Sequence, residues 1–209
     1  MQGAFVTLEG IEGVGKSTHL VFIERSLRAR GKDVLVTREP GGTPLGEKVR
    51  HWVLAAEQGA LSPEVETLLM FAARAHHLDQ VIRPALAAGR WVICDRFTDA
   101  TMAYQGGGRG ADPALIDGLR TAVQRGLEPD LTLLLDAPLD VSFDRIRSRS
   151  PDHFEKEDQL FFERVRAAYL RLAAADPARI RIIDAAQTLG TVQKEIEAEI
   201  EAFVVDFEK

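Results

Sequence analysis

The run Gly10-Ile11-Glu12-Gly13-Val14-Gly15-Lys16-Ser17 is a complete G-x-x-x-x-G-K-[ST] motif. It lies between a short apolar segment, Ala4 to Leu8, and an amphipathic one, Ser17 to Arg30, whose Leu20, Ile23 and Leu27 share a helix face. The residue types follow from the chemistry of a phosphate. Glycines let the backbone wrap an anion closely and adopt positive φ. The loop N–H groups and the start of the following helix then point at it. Lys16 supplies a mobile charge for β- and γ-phosphates, and Ser17 a hydroxyl for Mg²⁺. The motif in this setting implies a strand, a phosphate loop and a helix that together hold a nucleoside triphosphate. It does not separate kinases from GTPases, motor ATPases or regulators. The guanine-reading N-K-x-D run is absent, and 209 residues leave little space for the oligomerisation modules of motor ATPases.

Outward from this loop, strand-like and helix-like runs alternate. Further strands are expected at Asp33 to Thr37, Trp91 to Cys94, Leu131 to Leu135 and Arg179 to Ile183. Helices are expected at Glu47 to Leu54, Pro63 to Ala88 (bent or broken), Pro113 to Arg125, Asp140 to Arg147, Gln159 to Ala174 and Thr191 to Phe207. Strands that are apolar throughout belong to a parallel sheet covered on both faces. The expected fold is therefore α/β: a doubly wound, five-stranded parallel sheet flanked by helices, one domain over residues 1–209, with a short lid at about 145–158.

Composition narrows the function classes. Hydrophobic residues make up 45% and charged residues 28%, as in ordinary globular chains. The net charge of -6 and the absence of a polybasic tail argue against extended nucleic-acid binding. No apolar stretch has the length of a membrane helix, and no basic-then-apolar leader precedes the first strand. The one cysteine, Cys94, lies in an apolar run and reads as a buried thiol. A cytoplasmic protein is expected.

Three further constellations point at phosphoryl chemistry. Strand three runs into Asp95-Arg96, where a carboxylate can reach Mg²⁺ or its waters and a guanidinium can fork onto a phosphate; a surface ion pair at a strand end is the other reading. Arg38-Glu39-Pro40-Gly41-Gly42-Thr43 follows strand two and brings an arginine to the same sheet edge; an ordinary turn is the other reading. Arg145, Arg147 and Arg149, in the polar stretch RIRSRSPDHFEKED, read as a basic segment able to close over a nucleotide, with a solvated charged loop as the alternative. His76, His77 and His153 have no motif role and read as surface or helix histidines.

The set LEGIEGVGKST, TREPGGTPLGE, FAARAHH, ICDRFTDATMAYQGGGRG and DAAQTL resembles the bacterial thymidylate kinase family, in the family's order and along essentially the whole chain. The resemblance implies MgATP and dTMP as substrates, dTDP and ADP as products, a step toward dTTP, and a homodimer built through helices on one side of the sheet. It implies that Gly10, Ile11, Glu12, Gly13, Val14, Gly15, Lys16, Ser17 and Thr18 hold the ATP phosphates. Ala185, Gln187 and Thr188 would flank the adenine. Arg38 and Arg96 would bind the dTMP phosphate, beside Glu39 and Pro40. Glu12 would approach the 3′-hydroxyl, and Tyr104 would crowd the ribose 2′ position. Phe71 would stack on thymine, and Arg74 would donate to its O4, with Thr101 and Gln105 lining the base. Ser17, Asp95 and Glu9 would be near Mg²⁺, partly through water. Catalysis would fall to Lys16, Asp95, Arg96 and the lid arginines Arg145, Arg147 and Arg149. The phosphate loop has no arginine of its own, so the lid must supply the transition-state charge. Left open are a kinase for dUMP, dCMP or dGMP, an ATP-binding regulator without catalysis, and a nucleic-acid ATPase.

Overall fold

In a computed structural model, residues 3–56, 60–146 and 159–209 are described. The apolar runs form five strands: β1 (Phe5–Glu9), β2 (Val34–Arg38), β3 (Trp91–Asp95), β4 (Leu131–Asp136) and β5 (Ile180–Asp184). They make one parallel sheet of order β2-β3-β1-β4-β5. Alternation sends successive side chains to opposite faces. Val6 and Leu8 of β1 enter the larger core with Ile23, Leu27, Ile196 and Ile200. Phe5 joins Val92, Cys94, Leu78 and Ile82 on the other face.

The helices are α1 (Lys16–Ala29), α2 (Pro44–Ala55), α3 (Pro63–His77), α4 (Arg83–Ala87), α5 (Thr98–Thr101), α6 (Pro113–Gln124), α7 (Leu139–Ile146), α8 (Gln159–Ala175) and α9 (Leu189–Phe207). Thr43, Ser62, Asp112 and Thr188 cap α2, α3, α6 and α9 with their side chains. The long run from Pro63 is broken as expected. A π-helical segment, Leu78–Ile82, separates α3 from α4, whose second residue is Pro84. A second π-helical segment, Met102–Gly108, follows α5 and was not foreseen. It holds Tyr104 and Gln105 and packs on α8 through small residues. A Cβ on Gly107 would lie 2.6 Å from the Ala168 Cβ and 3.3 Å from the Arg164 carbonyl oxygen.

The chain leaves β1 for the outer strand β2 and returns to β3, whereas β4 and β5 continue on the opposite side. The phosphate loop therefore sits at the point where the strand order reverses, at the carboxyl edge of the sheet, where ligands bind in open α/β folds. Of the expected lid, residues 147–158 lie outside the described residues, Arg147, Arg149 and His153 among them.

Candidate active site

The loop between β1 and α1 is shaped by its glycines. Gly13 has φ 77°, and a Cβ there would meet the Ser142 carbonyl oxygen at 2.1 Å. Gly15 stands at the N-cap of α1 without a side-chain cap, which leaves the first N–H groups of the helix for an anion. Lys16 Nζ donates to the carbonyls of Gly10 at 2.9 Å and Ile11 at 2.7 Å. Burial draws its pKa down to about 8, helped by Arg96 and opposed by Glu12, Asp95 and Glu9.

Arg96 follows β3 in the left-handed region, at φ 69°. For a residue with a long side chain this costs roughly 1–3 kcal/mol and persists only where the surroundings over-determine it. Here they do. The Arg96 N–H donates to the Leu8 carbonyl, and Nη2 meets Glu12 Oε1 at 2.7 Å. The guanidinium lies 4.6 Å from the centre of the Tyr104 ring, and the Tyr104 hydroxyl donates to Glu12 Oε2 at 2.7 Å. Burial pushes the Glu12 carboxyl upward, but Arg96, Lys16 and the Tyr104 hydroxyl outweigh it, and the net shift is downward.

Arg74, on the last turn of α3, is held from three sides. Its Nε donates to Glu39 Oε2 at 2.7 Å, and its Nη2 donates to the Phe97 carbonyl and to Thr101 Oγ1. Its Nη1 is buried and has no partner among the described residues. Glu39 also accepts from His77 at 2.9 Å, and His77 reaches Thr37 Oγ1 at 2.7 Å through its other nitrogen. His77 is thus a fully buried helix residue in a network behind the site, and the surface alternative is excluded for it.

These groups surround a cavity of about 490 Å³. Its described lining carries six cationic side chains, Lys16, Arg38, Arg50, Arg74, Arg96 and Arg145, against three carboxylates, Glu12, Glu39 and Asp95. That local excess of positive charge suits a multiply anionic ligand in a chain that is acidic overall. Gly13, Gly15, Ser17 and Thr18 line it too, as do Pro40, Thr101, Tyr104 and Gln105. Asp95 Oδ1 is buried with no hydrogen-bond partner among the described residues.

Other expected residues lie elsewhere. Phe71 does not line the cavity. Its ring is 1% exposed, packs with Ala111 and Ile116, and is covered by the Arg74 guanidinium at 4.6 Å. Met70, four residues before Arg74, lines the cavity instead. The physical reason is the helical period: position i+4 shares a face more closely than i+3 when both side chains must turn toward one point. Glu9 is fully buried with its two oxygens engaged by the Phe97 N–H and the Tyr169 hydroxyl, each at 2.7 Å. Gly10, Ile11 and Val14 shape the loop from within the core. Ala185, Gln187 and Thr188 form the turn after β5, outside the cavity and joined to it by the Arg145 Nη1 bond to the Ala185 carbonyl at 2.9 Å. Arg50, Leu54, Phe97 and Ala100 line the cavity and were given no role from the sequence: Arg50 and Leu54 arrive through the packing of α2, and Phe97 and Ala100 lie within ICDRFTDATMAYQGGGRG but carry no chemical signature of their own.

A family model described as thymidylate kinase matches residues 8–196. The chain is similar to a curated thymidylate kinase of Methylococcus capsulatus, 57% identical over 203 residues and covering 97% of each chain. It is also similar to one of Nitrosomonas europaea, 52% identical over 206 residues, with 98% of this chain and 95% of that one covered. A crystal structure of thymidylate kinase from Ehrlichia chaffeensis superposes with a TM-score of 0.76 at 34% identity, covering 96% of this chain and 99% of that one.

Proposed function

The chain belongs to the thymidylate kinase family and is a nucleoside monophosphate kinase that moves the γ-phosphoryl group of ATP to dTMP, and we propose that the residues around its cavity divide this work by charge and by hydrogen-bond direction. The phosphate loop and Lys16 hold the ATP phosphates. Arg38 and Arg96, with Arg50 beside them, hold the dTMP phosphate. A phosphate oxygen of dTMP is already a competent nucleophile. It bonds to the γ-phosphorus as the bridging oxygen leaves with ADP, so positioning and charge neutralisation carry the catalysis. Arg145 contributes from the cavity wall, and Arg147 and Arg149 remain its proposed companions.

Ser17 and Asp95 suit Mg²⁺. A hydroxyl and a carboxylate oxygen without a described partner are hard donors opening on the phosphate site. No cluster of three or more His, Cys, Asp or Glu side chains fit for a metal occurs among the described residues, so the ATP phosphates would provide further ligands. When bound, the ion would neutralise phosphate oxygens. Glu9 is left out of this set because its oxygens are committed to Phe97 and Tyr169.

The observation that carries the choice of base is the unpartnered Arg74 Nη1. A fixed donor suits the O4 of thymine and opposes the amino group of cytosine. Met70 would pack against the ring, and Tyr104 would favour a 2′-deoxyribose. The test is ADP release with MgATP and a panel of monophosphates: rapid with dTMP, slower with dUMP, negligible with dCMP. Equal turnover of dCMP would sink the role of Arg74, and no turnover of any monophosphate would sink the mechanism.

A cytoplasmic homodimer completes the proposal. Among the described residues no helix is long and apolar enough to cross a membrane, and Cys94 is buried and unpaired. Leu45 and Trp52 on α2, with Val65 and Leu68 on the adjoining α3, leave large apolar side chains exposed, Trp52 by 59%.

A further inference from the structure

Gln105 lines the cavity, but its orientation is set from outside it. Its Nε2 donates to Glu66 Oε1 at 2.6 Å. Glu66 stands on the first turn of α3, 1% exposed, and does not line the cavity. Its other oxygen lies 3.4 Å from Arg109 Nε, so the carboxylate has a balancing charge behind it. An ionised carboxylate only accepts hydrogen bonds. Of the two ends of the Gln105 amide, only the NH₂ can therefore face Glu66. The carbonyl is turned the other way, and no described residue donates to it.

We propose that Glu66 is a positioning residue for base specificity: it holds the Gln105 amide in the one orientation that presents an acceptor to the base. This rests on reading the cavity as the dTMP site. An acceptor there requires a ring N–H on the ligand, as thymine has at N3. Cytosine offers a lone pair at that position, and two acceptors would face each other. The reading from Gln105 is thus the complement of the donor on Arg74. Each reader is fixed by a buried carboxylate that does not itself select the base: Glu39 for Arg74, Glu66 for Gln105. Without the second carboxylate the amide can turn over, because its two ends have nearly the same shape.

Glu66→Gln tests this, since a glutamine can pair with Gln105 in either orientation. The variant should raise KM for dTMP about tenfold, narrow the dTMP to dCMP ratio of kcat/KM by about the same factor, and leave KM for ATP unchanged. Glu66→Asp, which keeps an acceptor-only partner, should restore the ratio even where it loses stability. A purely structural role would lower the melting temperature of both variants and leave the ratio alone. A folded Glu66→Gln variant with the wild-type ratio would overturn the proposal. Should that variant fail to fold, the wild-type protein decides. The side-chain amide ¹H–¹⁵N signals of Gln105 should keep their carboxylate-bonded downfield proton when dTMP is added. Loss of that shift on binding would mean that the amide turns over and the proposal is wrong. Absence of dTMP turnover in the wild type would reject the dTMP site, while the signal from Gln105 would still report on its bond to Glu66.

Discussion

Glu9 shows how one buried side chain ties stability to pH. It is fully buried at the end of β1, facing Arg96, Asp99, the Tyr169 hydroxyl and the Phe97 N–H. Burial, with Asp99, pushes its pKa from 4.5 up to about 7, against the pull of Arg96. The folded state then holds a proton that the unfolded chain has released. Stability from this group is fully present below about 4.5 and falls as pH rises through about 7. Urea midpoints measured across that interval should decline in the wild type and decline less in Glu9→Gln, which stays neutral. Equal slopes would show that Glu9 does not titrate there. At the same scale, motif residues were legible because their chemistry dictates their type: Lys16, Ser17 and Asp95 all line the cavity. Met70 and Arg50 were not, since a methionine and a helix arginine carry no signature until packing aims them. His77 ends the run FAARAHH but had no role to read there, since its partners lie 38 and 40 positions away in sequence.

Helices and strands were legible where periodicity and punctuation agree. Ser62-Pro63 marks a helix start by a capping oxygen followed by a residue with preset φ, whereas Thr43-Pro44 carries the same punctuation and starts α2 three residues before the expected Glu47. The π-helical segment Met102–Gly108 had no such signal, because three glycines read as a turn. They are tolerated here because α8 packs against them and leaves no space for a side chain at Gly107. Gly107→Ala should therefore cost roughly 1–3 kcal/mol through overpacking, read as a lower urea midpoint. Because Tyr104 and Gln105 lie on the same segment, KM for dTMP should rise with it. A variant of unchanged midpoint would mean that α8 yields at no cost.

At the scale of the whole molecule, the acidic chain gathers cations at one edge of its sheet. Three strand ends and the start of α1 converge there, which brings together arginines from β2, α2, α3 and the loop after β3. The apolar face left on α2 and α3 belongs to the same scale. For the proposed homodimer, Trp52→Glu should shift dimer to monomer in sedimentation equilibrium, because a central charge in an interface of roughly 1,200–2,000 Å² would be left unpaired; a wild-type monomer would reject the dimer itself. An unchanged dimer would place the contact elsewhere. By itself the sequence determined the phosphate loop, the five strands and the all-parallel sheet, since backbone geometry, apolar runs and glycine placement act over a few residues. Only the tertiary structure decided that Met70 lines the cavity, that Glu9 and His77 are buried behind it, and that Glu39 and Glu66 accept hydrogen bonds from Arg74 and Gln105. Those are contacts between residues distant along the chain, and no local pattern encodes a direction in space until the helices have packed on the sheet.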